Sequence, residues 1–110
     1  MSAEEFVRCF RREKDILLSA FVDASSGSSV ACEVATLATS AEQRAALRRI
    51  LDTAVTDTLY TILLALDGCS SLGGVQQKYR IFDEHENEIC SGDGRIEALA
   101  HDYFHGDCDA

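Results

Sequence analysis

The chain has 110 residues, 46% hydrophobic and 26% charged, with 19 acidic against 10 basic side chains and a net charge of −9. That size predicts one domain with a core of its own, and the composition excludes a low-hydrophobicity disordered segment. The acid excess opposes phosphate backbones and anionic membranes, and the longest apolar run, near Ile62–Leu66, is far short of a membrane-spanning helix.

In chain order, Ser2 with Glu5 three residues on forms a capping box and predicts a helix over 3–22. Phe6, Phe10, Leu17 and Phe21 share one face of it, with Val7, Leu18 and Val22 beside them. The serine-rich run from Ala24 to Ser29 reads as a flexible linker over 23–29. Residues 30–38 fit helix or strand, and the spacing of Val30, Val34 and Leu37 favours a short helix. Ser40 with Gln43 forms a second capping box, opening a long helix over 41–67. Leu47, Ile50, Leu51, Val55, Leu59, Ile62, Leu63 and Leu66 keep its helical repeat, and Gly68 suits the left-handed C-terminal position. At 1.5 Å per residue this helix is roughly 40 Å long, more than a small domain covers, so its first half is expected to be exposed or to face a partner. From Leu59 onwards it is almost wholly apolar and is the expected centre of the core.

Past the loop 69–74, Val75, Gln77, Tyr79 and Ile81 alternate with Gln76, Lys78, Arg80 and Phe82, a period-two pattern that predicts a strand. A polar turn, Asp83 to Asn87, and a return strand, Glu88 to Cys90, complete a hairpin over 75–90. A last helix over 94–105 turns Ile96, Leu99, Ala100, Tyr103 and Phe104 inward. The predicted class is therefore mainly α, α+β: helices packed with one C-terminal β-hairpin in a single domain, 1–110.

Charge is distributed unevenly. Residues 83–110 hold nine carboxylates against Arg95 alone, whereas residues 1–82 hold ten acids and nine bases. The basic faces Arg8, Arg11, Arg12, Lys14 and Arg44, Arg48, Arg49 are interleaved with acids and read as mixed solvated surfaces, so nucleic acid is not an expected partner. The five cysteines (Cys9, Cys32, Cys69, Cys90, Cys108) are odd in number and form no CxxC pair, which suits reduced thiols and a cytoplasmic location. The acidic first residues do not read as a secretory signal.

No catalytic residue and no cofactor are predicted. Glu97, His101 and His105 recur at i, i+4 and i+8 on the last helix, with Asp107 and Cys108 beyond, and are the metal candidates; a solvated polar face explains the same spacing. Asp83 to Glu88 fails the calcium-loop pattern, because position six is Glu88 and position twelve Gly94. Gly68 and Gly73 have the spacing of a phosphate loop but lack its lysine and its strand-to-helix order. Cys69, beside Asp67 at a helix C-terminus, is poorly placed as a nucleophile. Asp57 and Asp67 interrupt or end an apolar helix, and Asp67 opposes its dipole, which marks it as a ligand group or a cap for the glycine loop.

The segments Leu59–Gly68, Gly73–Gln77 and Tyr103–His105, in a small acidic chain without an active-site motif, resemble a small bacterial family; the whole profile resembles bacterial immunity proteins, which bind and block a toxin domain. That resemblance implies a basic protein partner. The acidic hairpin and last helix would then be the contact surface, with Asp83, Glu84, Glu86, Glu88 and Asp93 as the acids and Tyr79 and Phe82 as apolar anchors. The alternatives are a small-molecule or metal site around Asp67, His101 and His105, joined by Asp57, and a homodimer that uses the excess length of the long helix.

Overall fold

The computed structural model describes residues 1–106, which form α1 (Ala3–Val22), α2 (Ser29–Leu37), α3 (Ala41–Leu66), β1 (Ile81–Phe82), β2 (Glu88–Cys90) and α4 (Arg95–His105). The architecture is mainly helical with one small antiparallel hairpin, as the sequence predicts. Among the described residues no helix is long and apolar enough to cross a membrane. The chain divides into two units: residues 1–12 with 58–110, and residues 13–57. The long helices α1 and α3 each contribute a segment to both.

The larger unit holds a continuous core. Ala3 and Val7 of α1, Leu63 of α3, Ile89 and Cys90 of β2, and Ile96, Ala100 and Tyr103 of α4 are buried together, and Phe6, Phe10, Leu64 and Phe104 pack around them. The start of α1 is fixed by Ser2, whose Oγ accepts a hydrogen bond from the Glu5 amide at 3.1 Å. At the other end of the core helix α3, the Cys69 amide donates to the Leu64 carbonyl and the Gly68 amide to that of Ala65. With Gly68 at φ +77° this is the Schellman termination that the sequence predicts.

The hairpin is shorter than its alternation suggests. Ile81 pairs with Cys90 and Phe82 with Glu88 with a register irregularity between them, and residues 76–80 form no strand. Period two states only that alternate side chains face differently; a strand also needs a neighbour with free backbone groups. Here the Lys78 stem takes the place of a ladder. It runs in a slot between two glycines: a Cβ on Gly68 would come within 2.7 Å of Lys78 Cγ, and one on Gly92 within 2.8 Å of Lys78 Cβ. Both glycines also have positive φ, so each is required twice, for its backbone conformation and for the space. Upstream, Leu72 and Val75 exchange both backbone hydrogen bonds across Gly73-Gly74 in a tight turn.

The smaller unit comprises the end of α1, α2 and the first part of α3. Its buried hydrophobic side chains are Leu18, Ala31 and Ala38. The expected flexible linker at 23–29 is instead a bonded 3-10 turn at Ala24–Ser26. Asp23 Oδ1 accepts from the Ser25 amide and hydroxyl, and Ser26 Oγ donates to the Ala20 carbonyl at 2.7 Å. Serine and aspartate rigidify such a turn by hydrogen-bonding the local backbone. Ser28 Oγ then caps α2 by accepting from the Ala31 amide, so residues 29–37 are helical. The second capping box is reciprocal: the Gln43 amide donates to Ser40 Oγ at 3.1 Å, while Gln43 Oε1 accepts from the amides of Thr39 and Ser40.

Candidate functional site

The acidic turn is built around one of its own carboxylates. Asp83 Oδ1 accepts from the amides of His85 and Asn87, both at 2.9 Å, and Oδ2 from Asn87 Nδ2 and the amine of Met1. The amine, followed by the Asn87 and His85 hydrogen bonds, holds the Asp83 carboxyl well below the usual carboxylate range. Backbone bonds from Asp83 N to Asn87 O and from Glu86 N to Asp83 O close the loop. Glu86 occupies the left-handed region at φ 66°, a position that favours glycine or asparagine.

The seven predicted contact residues therefore separate by role. Asp83 is consumed in shaping the turn, and only 13% of its side chain is exposed. Glu88 receives Arg80, whose Nη2 lies 2.9 Å and Nε 3.3 Å from Glu88 Oε2. Arg80 also covers the Phe82 ring, with Cζ 5.3 Å from its centroid, although Phe82 stays exposed. Asp93 accepts from the Arg95 amide and serves the start of α4. Tyr79 is half-buried. Glu84 and Glu86 remain as open carboxylates, with His85 Nε2 3.5 Å from Glu84. The open part of the patch is thus smaller than its count of acids: two glutamates beside an aromatic ring.

Asp67 has a different use. It is 1% exposed, and its carboxylate accepts from the Gly94 amide at 3.2 Å and the Glu97 amide at 2.9 Å. These are free donors of the first turn of α4, where Gly94 has no side chain to offer. An acid ending one helix therefore caps another, and its charge meets the positive end of the α4 dipole. Arg11 completes the arrangement by donating from Nε to the Tyr103 carbonyl near the opposite end of α4, at 3.1 Å. Tyr103 itself donates to Glu4 and accepts from Arg8. Arg11 carries no sequence signal for this role; Asp67 does, in its unfavourable position at the end of α3.

The groups of the alternative site do not converge. Glu97 lies against Cys69, and that carboxylate, followed by burial, pushes the thiol up to about 11. Burial foremost raises the Cys90 thiol as well, so both are protonated at neutral pH and neither suits thiolate chemistry. The His105 ring lies tilted at 48° to that of Tyr60 with centres 4.5 Å apart, and the His101 and His105 ring centres are 6.2 Å apart. Among the described residues no three His, Cys, Asp or Glu side chains come together as metal ligands. Asp57 is exposed in the smaller unit, and Asp107 and Cys108 lie outside the described residues. Comparison with protein-family models, curated proteins and solved structures gave no match.

Proposed function

We propose that this chain is a small interaction protein that binds a basic surface on another protein through its acidic turn, in the manner of an immunity-type inhibitor. The supporting observation is the preorganised turn. Asp83 spends its own charge on fixing the loop, which leaves Glu84 and Glu86 displayed from a bonded frame beside exposed Phe82. A rigid display lowers the ordering cost of binding, and paired acids steer a basic partner in. Glu86 stands where glycine would be less strained, so a carboxylate is kept there against local preference.

The test is affinity capture from cells of the source organism, with the wild type beside E84K/E86K and F82S. A basic protein retained by the wild type, released by moderate salt and at least about tenfold weaker against E84K/E86K is the expected result. Equal retention by the charge-reversed variant overturns the acidic-turn reading.

A further inference from the structure

The hairpin already holds a guanidinium. Phe82 of β1 and Glu88 of β2 are cross-strand partners, and Arg80 touches both of them, so ring and carboxylate share one face. Arg80 Cζ is 5.3 Å from the Phe82 ring centre, and its Nε and Nη2 reach Glu88 Oε2 at 3.3 and 2.9 Å. An aromatic face beside a carboxylate is the combination that recognises an arginine side chain: the ring attracts the flat cation, and the acid takes its N–H groups. The receiving pair is fixed by the backbone register, whereas the occupant is not. Arg80 comes from residues 76–80, which form no strand, and its side chain is 70% exposed.

We propose that Phe82 and Glu88 form a subsite for an arginine side chain of the basic partner, and that Arg80 is its built-in stand-in, displaced when the partner binds. This subsite rests on the acidic turn being the binding surface, and adds to it the side chain recognised and the contact that restrains binding. Displacement costs little, because both donors of Arg80 converge on one oxygen of Glu88 and an exposed ion pair of this kind holds weakly. An untethered guanidinium can instead approach both carboxylate oxygens as a fork, which is the stronger geometry. Glu84 and Glu86, the open acids of the intervening turn, supply charge for neighbouring cations of a basic segment. Lysine fits less well, since its compact, strongly hydrated ammonium offers neither the flat face nor the fork. Arg80 therefore acts against binding twice, by filling the subsite and by setting a positive charge in the path of an incoming one.

Fluorescence anisotropy on the full chain at low ionic strength tests this, with a labelled peptide carrying three arginines spaced by glycine and serine, and its three-lysine counterpart. R80Q is expected to bind the arginine peptide about fivefold or more tighter than the wild type, and to gain less than about twofold for the lysine peptide. R95Q removes the same charge from α4 and should change either affinity by less than about twofold. Adding F82A or E88Q to R80Q should abolish its gain. Phe82, Glu88 and both arginines are exposed, so these variants keep the core intact. An R80Q that binds the arginine peptide no tighter than R95Q does, an equal gain for both peptides, or a gain that survives F82A or E88Q overturns the subsite. E84K/E86K separates it from the reading on which it rests. Lost peptide binding in E84K/E86K with no gain in R80Q removes the arginine subsite and leaves the acidic turn as the contact surface; unchanged binding in E84K/E86K removes the acidic turn itself.

Discussion

The larger unit fixes its last helix at both ends with side chains from elsewhere in the sequence, while the smaller unit is held chiefly by local caps. In the first, Asp67 and Arg11 secure α4 and eight buried residues form its core. In the second, Asp23, Ser28, Ser40 and Gln43 each bond within a few residues of themselves, and little apolar surface is enclosed. Local bonds define helices and turns but contribute little to holding them against one another, because most helical stability comes from packed faces. The two parts are therefore expected to open at different free energies, with α2 exchanging its amide hydrogens well before α4.

The largest expected effect breaks the larger unit's advantage. Asp67→Ala leaves two part-buried amides unsatisfied and removes a charge-assisted cap, a cost of about 2–4 kcal/mol. For a chain of this size that lowers the melting temperature by roughly 10–20 °C. Asp67→Asn keeps one carbonyl acceptor and should lose about half as much. Hydrogen exchange should show the loss in α4 amides and leave α2 unchanged. If α2 loses protection in step with α4, the two units are one cooperative body and the contrast between them fails.

What could be read from the sequence divides along the same line. Both capping boxes and the Gly68 termination are i to i+3 or nearest-turn signals, so residue spacing alone located them. Asp67 was visible as an acid in the wrong place, yet its partners lie 27 and 30 residues further on and depend on how the hairpin returns the chain. The strand reading held at 81–82 but not at 76–80, because alternation reports half-burial and says nothing about a pairing neighbour; the Lys78 slot between Gly68 and Gly92 has no periodic signature. The acidic patch was legible as composition. The division of labour within it was not, since pairing of Glu88 with Arg80 and of Asp83 with the Met1 amine needs the folded turn.

A smaller effect of opposite sign is expected at the acidic turn. Glu86→Gly relieves a left-handed glutamate and should raise stability by about 0.5–1 kcal/mol, after allowing for the greater freedom of glycine in the unfolded chain. The same substitution removes one of two open carboxylates and should weaken capture of a basic partner. Urea unfolding and binding measured on the one variant would show stability and recognition moving in opposite directions. A variant that is no more stable would mean that Glu86 is not strained, and the turn would lose its claim to be shaped for something besides folding.

The smallest effect belongs to the smaller unit and is a matter of pH. Lys14 Nζ lies 2.9 Å from Asp52 Oδ1, and Thr56 Oγ1 donates to the same oxygen at 3.4 Å. The Lys14 hydrogen bond is the main cause that lowers the Asp52 carboxyl below its ordinary range. A folded value below the unfolded one means that the pair's contribution is full above about pH 4 and drains away as pH falls through the folded value. The Asp52 side chain is 48% exposed, so solvent screening limits the contribution to a few tenths of a kcal/mol. Asp52→Asn should therefore shift the urea midpoint slightly at about pH 6 and by progressively less as pH falls below about 4. A loss approaching that of Asp67→Ala would show that the smaller unit, too, depends on a specific polar tie between distant residues.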